Sequence, residues 1–244
     1  METLFIAAFI TLGAHLGFAQ PIATSEVIRR VFLISYPDTN KLGTCFVIDV
    51  SNRQYLVTAK HVVAGISSNA VVRIFHDSEW KDLGVRRLDC PNTNADIAVL
   101  IPNRILCTGH VEVGSDGLFV GQDVVFLGFP YGLFTDGKIN NNFPIPFVKR
   151  AMVSGLGPSN QFFWLDGINN PGFSGGPVVV YDEGSKRRKI IAVISGFLNA
   201  EEAVQYHGQK TDLISVNNTG LIKCWDIDNA LEAIKNCPEG PIIK

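Results

Sequence analysis

The chain has 244 residues, 46 % of them hydrophobic and 18 % charged, with a formal net charge of −2. That length is ample for one large domain, or for two small barrels acting as one unit, and the near-neutral charge argues against nucleic acid as an obligatory partner. Cys45, Cys90, Cys107, Cys224 and Cys237 show no C-x-x-C spacing, which argues against a dense disulfide framework and a paired-cysteine zinc site. Nothing in the composition calls for a metal or an organic cofactor.

Met1 to Gln20 is apolar from Leu4 to Leu12 and continues weakly to Ala19. Gly17 and Ala19 supply the small residues that a signal peptidase needs before a cut after Ala19. Residues 1–19 are therefore read as a signal peptide, which implies a secreted or periplasmic protein with no stable membrane partner once the signal is removed. Two alternatives stay open. One is a retained anchor, although the run is short of the ~20 apolar residues of a bilayer span. The other is an N-terminal helix packed on the domain.

Short apolar runs bounded by Gly, Pro, Asn and Asp follow. Strands are expected at 31–34, 43–50, 55–58, 70–75, 97–101, 123–128, 148–154, 162–165, 178–181 and 190–196, an all-β pattern compatible with barrels or a sandwich. The inter-barrel connection is placed near Asn103 to Gly121, giving an N-terminal barrel over 20–112 and a C-terminal one over 113–244. Lys186-Arg187-Arg188-Lys189 reads as the cap of a solvated hairpin, and the stretch from Glu201 to Asp212 as a loop. One helix is expected at the end, capped by Asp226, with Ile227, Leu231 and Ile234 as an apolar stripe docked on the second barrel and Cys237-Pro238-Glu239-Gly240 as its stop. Cys224 and Cys237 either bridge across this helix or stay as free thiols.

Three stretches carry chemistry. Tyr55 to Val63 is an apolar strand that ends in a small-residue turn with His61. Asn94 to Leu100 places Asp96 at the mouth of another strand, with Asp89 as the weaker competitor. Asn169 to Pro177, Asn-Asn-Pro-Gly-Phe-Ser-Gly-Gly-Pro, presents Ser174 on a glycine-rich turn. Taken singly, these are a surface histidine, a strand-end cap and a hairpin turn. Taken together they are a nucleophile, a base to activate it and a carboxylate to orient the base.

At Thr58-Ala59-Lys60-His61-Val62, Asp96-Ile97-Ala98-Val99-Leu100 and Gly172-Phe173-Ser174-Gly175-Gly176-Pro177 the chain resembles the trypsin/chymotrypsin-fold serine proteases, most closely their Deg/HtrA-like branch. Leu127 to Gly132 matches that family's second-barrel segment, and the likeness covers about Val31 to Asp226. The resemblance implies two six-stranded antiparallel β-barrels with a short C-terminal helix. It implies a serine endopeptidase acting on protein or peptide substrates, with His61 as base, Asp96 as its orienting partner and Ser174 as nucleophile. The N–H groups of Gly172 and Ser174 would form the oxyanion hole, Ser195, Gly196 and Phe197 would line the substrate cleft, and Ser195 would support Asp96. Ile168, six residues before Ser174, would lie at the base of the specificity pocket and favour apolar side chains. Phe173 stands where trypsin-type zymogens carry an aspartate, so activity is not expected to depend on a newly cut N-terminus. Branch members usually continue into a PDZ domain, which a chain ending at Lys244 is expected to lack. The rival reading is a catalytically silent binding or chaperone module on the same fold; the oligomeric state is left open.

Overall fold

The computed structural model describes residues 22–36 and 41–243. The signal peptide expected over 1–19, with its cut after Ala19, lies outside the described residues. Among those described, no helix is long and apolar enough to cross a membrane.

A short helix, α1 (Ser25–Ile28), leads into six strands: β1 (Val31–Tyr36), β2 (Lys41–Val50), β3 (Arg53–Thr58), β4 (Asn69–His76), β5 (Glu79–Leu88) and β6 (Ala98–Pro102). They close into an antiparallel barrel in the order β1-β2-β3-β6-β5-β4. Its interior is filled by Phe32, Ile34, Val47, Leu56, Val72 and Leu83, among others. The β2–β3 turn (Ser51, Asn52) and the β4–β5 turn (Asp77, Ser78) hold both central residues at positive φ, the two-residue geometry whose twist matches that of the strands. Strand β5 escaped the sequence reading because its outward face is charged; only alternate residues such as Leu83 and Val85 are buried.

The second half contributes β7 (Glu112–Val113), β8 (Asp123–Gly128), β9 (Phe147–Leu156), β10 (Phe162–Asp166), β11 (Pro177–Asp182), β12 (Arg187–Tyr206) and β13 (Gln209–Asp226). The order is β11-β8-β9-β10-β13-β12-β7, and a further β11–β12 pairing joins six antiparallel strands into a second ring. The seventh, β7, is a two-residue addition lying parallel to β12. Strands β12 and β13 are far longer than expected, and the stretch read as a loop from Glu201 to Asp212 is the tip of their hairpin. Its apolar and charged residues do not alternate cleanly, so the period-two signal of a half-buried strand is absent there.

The C-terminal helix, α2 (Asp228–Asn236), begins after Asp226, whose Oδ1 accepts the Asp228 N–H at 2.8 Å. It packs on β6 of the first barrel as well as on second-barrel residues. Ile227, Ala230 and Ile234 share one core with Phe46, Tyr55, Leu127 and Val193, so the helix seals the seam between barrels. The tail then crosses back to the first barrel, where Gln54 N–H donates to Pro241 O at 3.0 Å and Gly240 N–H to the Tyr55 hydroxyl at 3.2 Å. The inter-barrel connection is strapped down in turn by Gln54, which donates to Cys107 O at 2.9 Å and accepts from Leu106 N–H at 2.6 Å. Buried Arg30 adds a bond to Gly109 O and an ion pair with Asp49 at 2.5 Å.

All five cysteines are free, with Cys45 and Cys224 buried inside different barrels, so the bridge from Cys224 to Cys237 is not formed. Lys189 also departs from the expected solvated hairpin cap: it is 7 % exposed, and its ammonium bonds the carboxylate and the carbonyl of Asp116.

Candidate active site

His61 and Asp96 meet because β3 and β6 pair directly, with Thr58 opposite Ala98. That register sets the turn after β3 beside the residue just before β6. Val62 and Val63 bury their side chains in the first barrel, and Ala95 and Ile97, on either side of Asp96, bury theirs in the core between the barrels. The imidazole and the carboxylate are thereby left at the rim, facing each other. Asp96 Oδ1 accepts the His61 backbone N–H at 2.9 Å, and Oδ2 lies 2.7 Å from His61 Nδ1. The Ser195 hydroxyl donates to the same Oδ2 at 2.6 Å. Burial pushes the Asp96 carboxyl up, but the hydrogen bonds from the His61 ring, the Ser195 hydroxyl and the His61 N–H outweigh it and hold the group below its ordinary pKa. Asp89, the alternative in the sequence, is 98 % exposed beside Arg87.

Ser174 sits on the loop between β10 and β11. Gly172 holds φ at +104°, and a Cβ there would stand 2.2 Å from Phe129 O, so no other residue fits without moving the backbone. Phe173 turns inward, fully buried edge-on against Phe126 at 5.0 Å. Gly175 N–H donates to Ile194 O and Ile194 N–H to Gly176 O, both at 2.8 Å, which stitches the loop onto β12. Among the described residues, the N–H groups of Gly172 and Ser174 have no acceptor, as an anion-receiving site requires. The Ser174 hydroxyl donates to Ser195 O at 3.2 Å. Four residues therefore lie on one chain of contacts, His61 to Asp96 to Ser195 to Ser174, the last link through the Ser195 carbonyl.

Two residues that sequence reasoning missed hold this loop. Thr44, on β2 of the first barrel, accepts the Phe129 N–H at 3.1 Å through Oγ1, donates that hydroxyl to Gly172 O at 2.7 Å, and bonds Ser174 O with its own N–H at 2.9 Å. Lys149, on β9, reaches under the loop. Its Nζ donates to Ile168 O and, at 3.1 Å, to Asn170 Oδ1, and it lies 5.8 Å from the Phe173 ring centre. Partial burial pulls the Lys149 pKa below its ordinary value. Neither residue belongs to a sequence motif; only the docking of strands brings them near.

Of the other expected residues, Gly196 and Phe197 continue β12 half-buried from Ser195, and Ile168 is 61 % exposed. Among the described residues no group of His, Cys, Asp or Glu side chains is placed to hold a metal ion.

Two antiparallel barrels, with His61 and Asp96 on the rim of one and Ser174 on a glycine-rich loop of the other, make a chymotrypsin-like fold. A family model described as the trypsin-like peptidase domain matches residues 43–185, more than half of the sequence, and the chain belongs to that family. Solved structures agree on the fold. The HtrA-type protease AlgW with a tripeptide is similar over 88 % of this chain and 62 % of its own, with 20 % identity and a TM-score of 0.58. The Rv3671c protease of M. tuberculosis H37Rv, in an inactive form, is similar over 87 % of this chain and 91 % of its own, with 19 % identity and a TM-score of 0.54. The chain thus spans less than two thirds of AlgW. No curated protein matches it in sequence.

Proposed function

We propose that the two barrels act as one serine endopeptidase unit that cleaves protein or peptide chains through an acyl-enzyme, with Ser174 as nucleophile, His61 as base and Asp96 as its orienting partner. The observation that carries this reading is the short contact of His61 Nδ1 with Asp96 Oδ2 at 2.7 Å. Asp96 fixes the tautomer in which Nε2 accepts a proton and stabilises the imidazolium that forms.

In the free protein the Ser174 hydroxyl rests on Ser195 O. An extended substrate that pairs with Ser195 to Phe197 needs that carbonyl for its own N–H, so binding releases the hydroxyl to turn toward His61. Ser174 Oγ then attacks the scissile carbonyl carbon while Nε2 takes its proton. The oxygen, now negative, is received by the N–H groups of Gly172 and Ser174. His61 returns the proton to the leaving amine, the C–N bond breaks, and a water activated by the same histidine hydrolyses the ester. Ile168, which is exposed, offers no carboxylate to a cationic substrate side chain, which favours apolar side chains over Lys and Arg. The signal peptide expected over residues 1–19 would put this chemistry outside the cytoplasm.

Labelling with a fluorophosphonate tests the reading against the silent-module alternative. Wild type is expected to be labelled and to digest casein, and Ser174→Ala to do neither, with a rate lower by roughly 10⁶-fold. Casein cleavage retained by purified Ser174→Ala overturns the assignment of the nucleophile.

A further inference from the structure

From Arg187 to Val193 β12 is paired with β11, and from Ala192 β13 joins on its other side; beyond Ile194 only β13 accompanies it. Strand β13 leaves its own second neighbour, β10, at Leu221. The two strands run on past the barrel as an arm, with Asn199 opposite Asn218 and Tyr206 opposite Gln209, closed by His207 and Gly208 at positive φ. Every residue from 201 to 210 is exposed. The arm nevertheless carries Tyr206 at 70 % exposure, Leu213 at 67 %, Ile214 at 62 % and Val216 at 59 %. A two-stranded ribbon alone in water is marginally stable, and large uncovered apolar side chains beside an unpaired strand edge mark a surface that binds something.

Continuity with the cleft says what it binds. The free edge of β12 begins at Ser195, whose carbonyl touches the Ser174 hydroxyl. A polypeptide lying antiparallel on that edge runs toward Ser174, so its residues on the amino side of the cut bond continue outward along the arm. At about 3.3 Å per residue, the edge from Ser195 to Tyr206 accommodates roughly ten substrate residues. The root of the arm is tied to the segment leading into the Ser174 loop: Asn218 Nδ2 donates to Asn169 O at 2.8 Å, and Gly167 N–H to Gly220 O at 2.9 Å. Arm and cleft therefore share one frame. A folded protein does not offer ten residues of bare backbone; an unfolded chain does.

We propose that this arm is an extension of the substrate cleft, taking unfolded polypeptide with apolar side chains roughly four to ten positions on the amino side of the cut bond. The pairing would be strand addition, with main-chain hydrogen bonds giving affinity and the apolar side chains of the arm giving preference. Glu201 and Glu202 on β12 add negative charge, which favours basic residues among the apolar ones. The proposal rests on the peptidase reading of the site.

Two measurements test it. Labelled casein is titrated into Ser174→Ala protein with the arm intact and with 200–217 replaced by Asn-Gly, which recloses the hairpin at the Asn199–Asn218 pair. Affinity is expected to fall at least tenfold without the arm. Nested peptides with four and twelve residues before a cleavage site mapped in casein are then compared on wild type. The longer is expected to have a KM at least tenfold lower, and a double variant, Leu213→Ser with Ile214→Ser, to reduce that ratio without shortening the backbone. Equal KM values for the two lengths on wild type overturn the proposal and leave the peptidase reading standing. Arm-dependent casein binding without cleavage by wild type does the reverse. An arm whose removal changes only the sedimentation of the protein, from dimer to monomer, belongs to a second copy of the chain and also overturns it.

Discussion

The two halves of the site are built in different ways. His61 and Asp96 are brought together by the register of two paired strands in a single barrel, Thr58 opposite Ala98, and their bonds are complete within it apart from the Ser195 hydroxyl. The Ser174 loop has no such autonomy. It takes support from Thr44 on the first barrel, from Lys149 on β9 and from Ile194 on β12. The His61–Asp96 half is thus a local property of one barrel, whereas the Ser174 half exists only when the barrels are docked. Substitutions in the first half should change chemistry and leave the fold; substitutions in the second should perturb loop geometry as well.

Short of removing Ser174 itself, the largest effect is expected on the local half. Asp96→Asn keeps the shape but offers Nδ1 the wrong hydrogen-bonding partner, so kcat should fall by roughly 10⁴ with little change in KM. Circular dichroism should show an unchanged fold. A fall of less than tenfold would mean that His61 is oriented by something other than Asp96.

On the docked half, Gly172→Ala places a methyl 2.2 Å from Phe129 O and so must shift the loop. Loss of one oxyanion donor costs roughly 10²–10³ in kcat. This variant should also lose thermal stability, which Asp96→Asn should not, and the pair of melting curves separates the two kinds of support. Lys149→Met should act more mildly, lowering kcat roughly tenfold at constant KM, since it loosens the loop without removing a donor. Lys149→Arg keeps the cation and should recover most of that loss. Equal losses in both variants would make Lys149 a packing residue only.

Much of this could be read from the chain itself, for definable reasons. The three motifs stand in sequence because each of these side chains needs particular neighbours: valines that bury the His61 turn, small apolar residues around Asp96, glycines around Ser174. The barrel strands were visible where both faces are apolar, as in 178–181, and invisible where one face is charged, as in β5. Thr44 and Lys149 left no trace, because the loop atoms they hold lie more than 15 residues away and only tertiary structure brings them near. The long arm was hidden for a related reason: it has no buried face, so nothing imposes alternation on its sequence.

Two buried aspartates, one in each barrel, also differ in how their charge is met. In the first, Asp49 lies 2.5 Å from Arg30. In the second, Asp226 is 5 % exposed, and the groups facing it are the Asp228 N–H, the Ser115 hydroxyl and the Asp228 carboxylate, with no cation among them. Burial raises the Asp226 pKa to about 6, against the two hydrogen bonds, and the neighbouring Asp228 charge adds to the rise. In an unfolded chain an aspartate titrates near ~3.9. The folded state therefore holds its proton more tightly, and this group favours folding fully below the unfolded pKa and loses that contribution as pH rises through about 6. Ionised, it should cost on the order of 1–3 kcal/mol. Asp226→Asn removes the charge and keeps an oxygen to accept the Asp228 N–H. It should raise the thermal midpoint at pH 8 by about 2–10 °C, with little change at pH 4.5. Because Asp226 touches neither His61 nor Ser174, turnover at neutral pH and 25 °C should stay within about twofold of wild type. Equal midpoints for variant and wild type at both pH values would mean that Asp226 ionises in the fold without penalty and that the contrast with Asp49 is one of geometry alone.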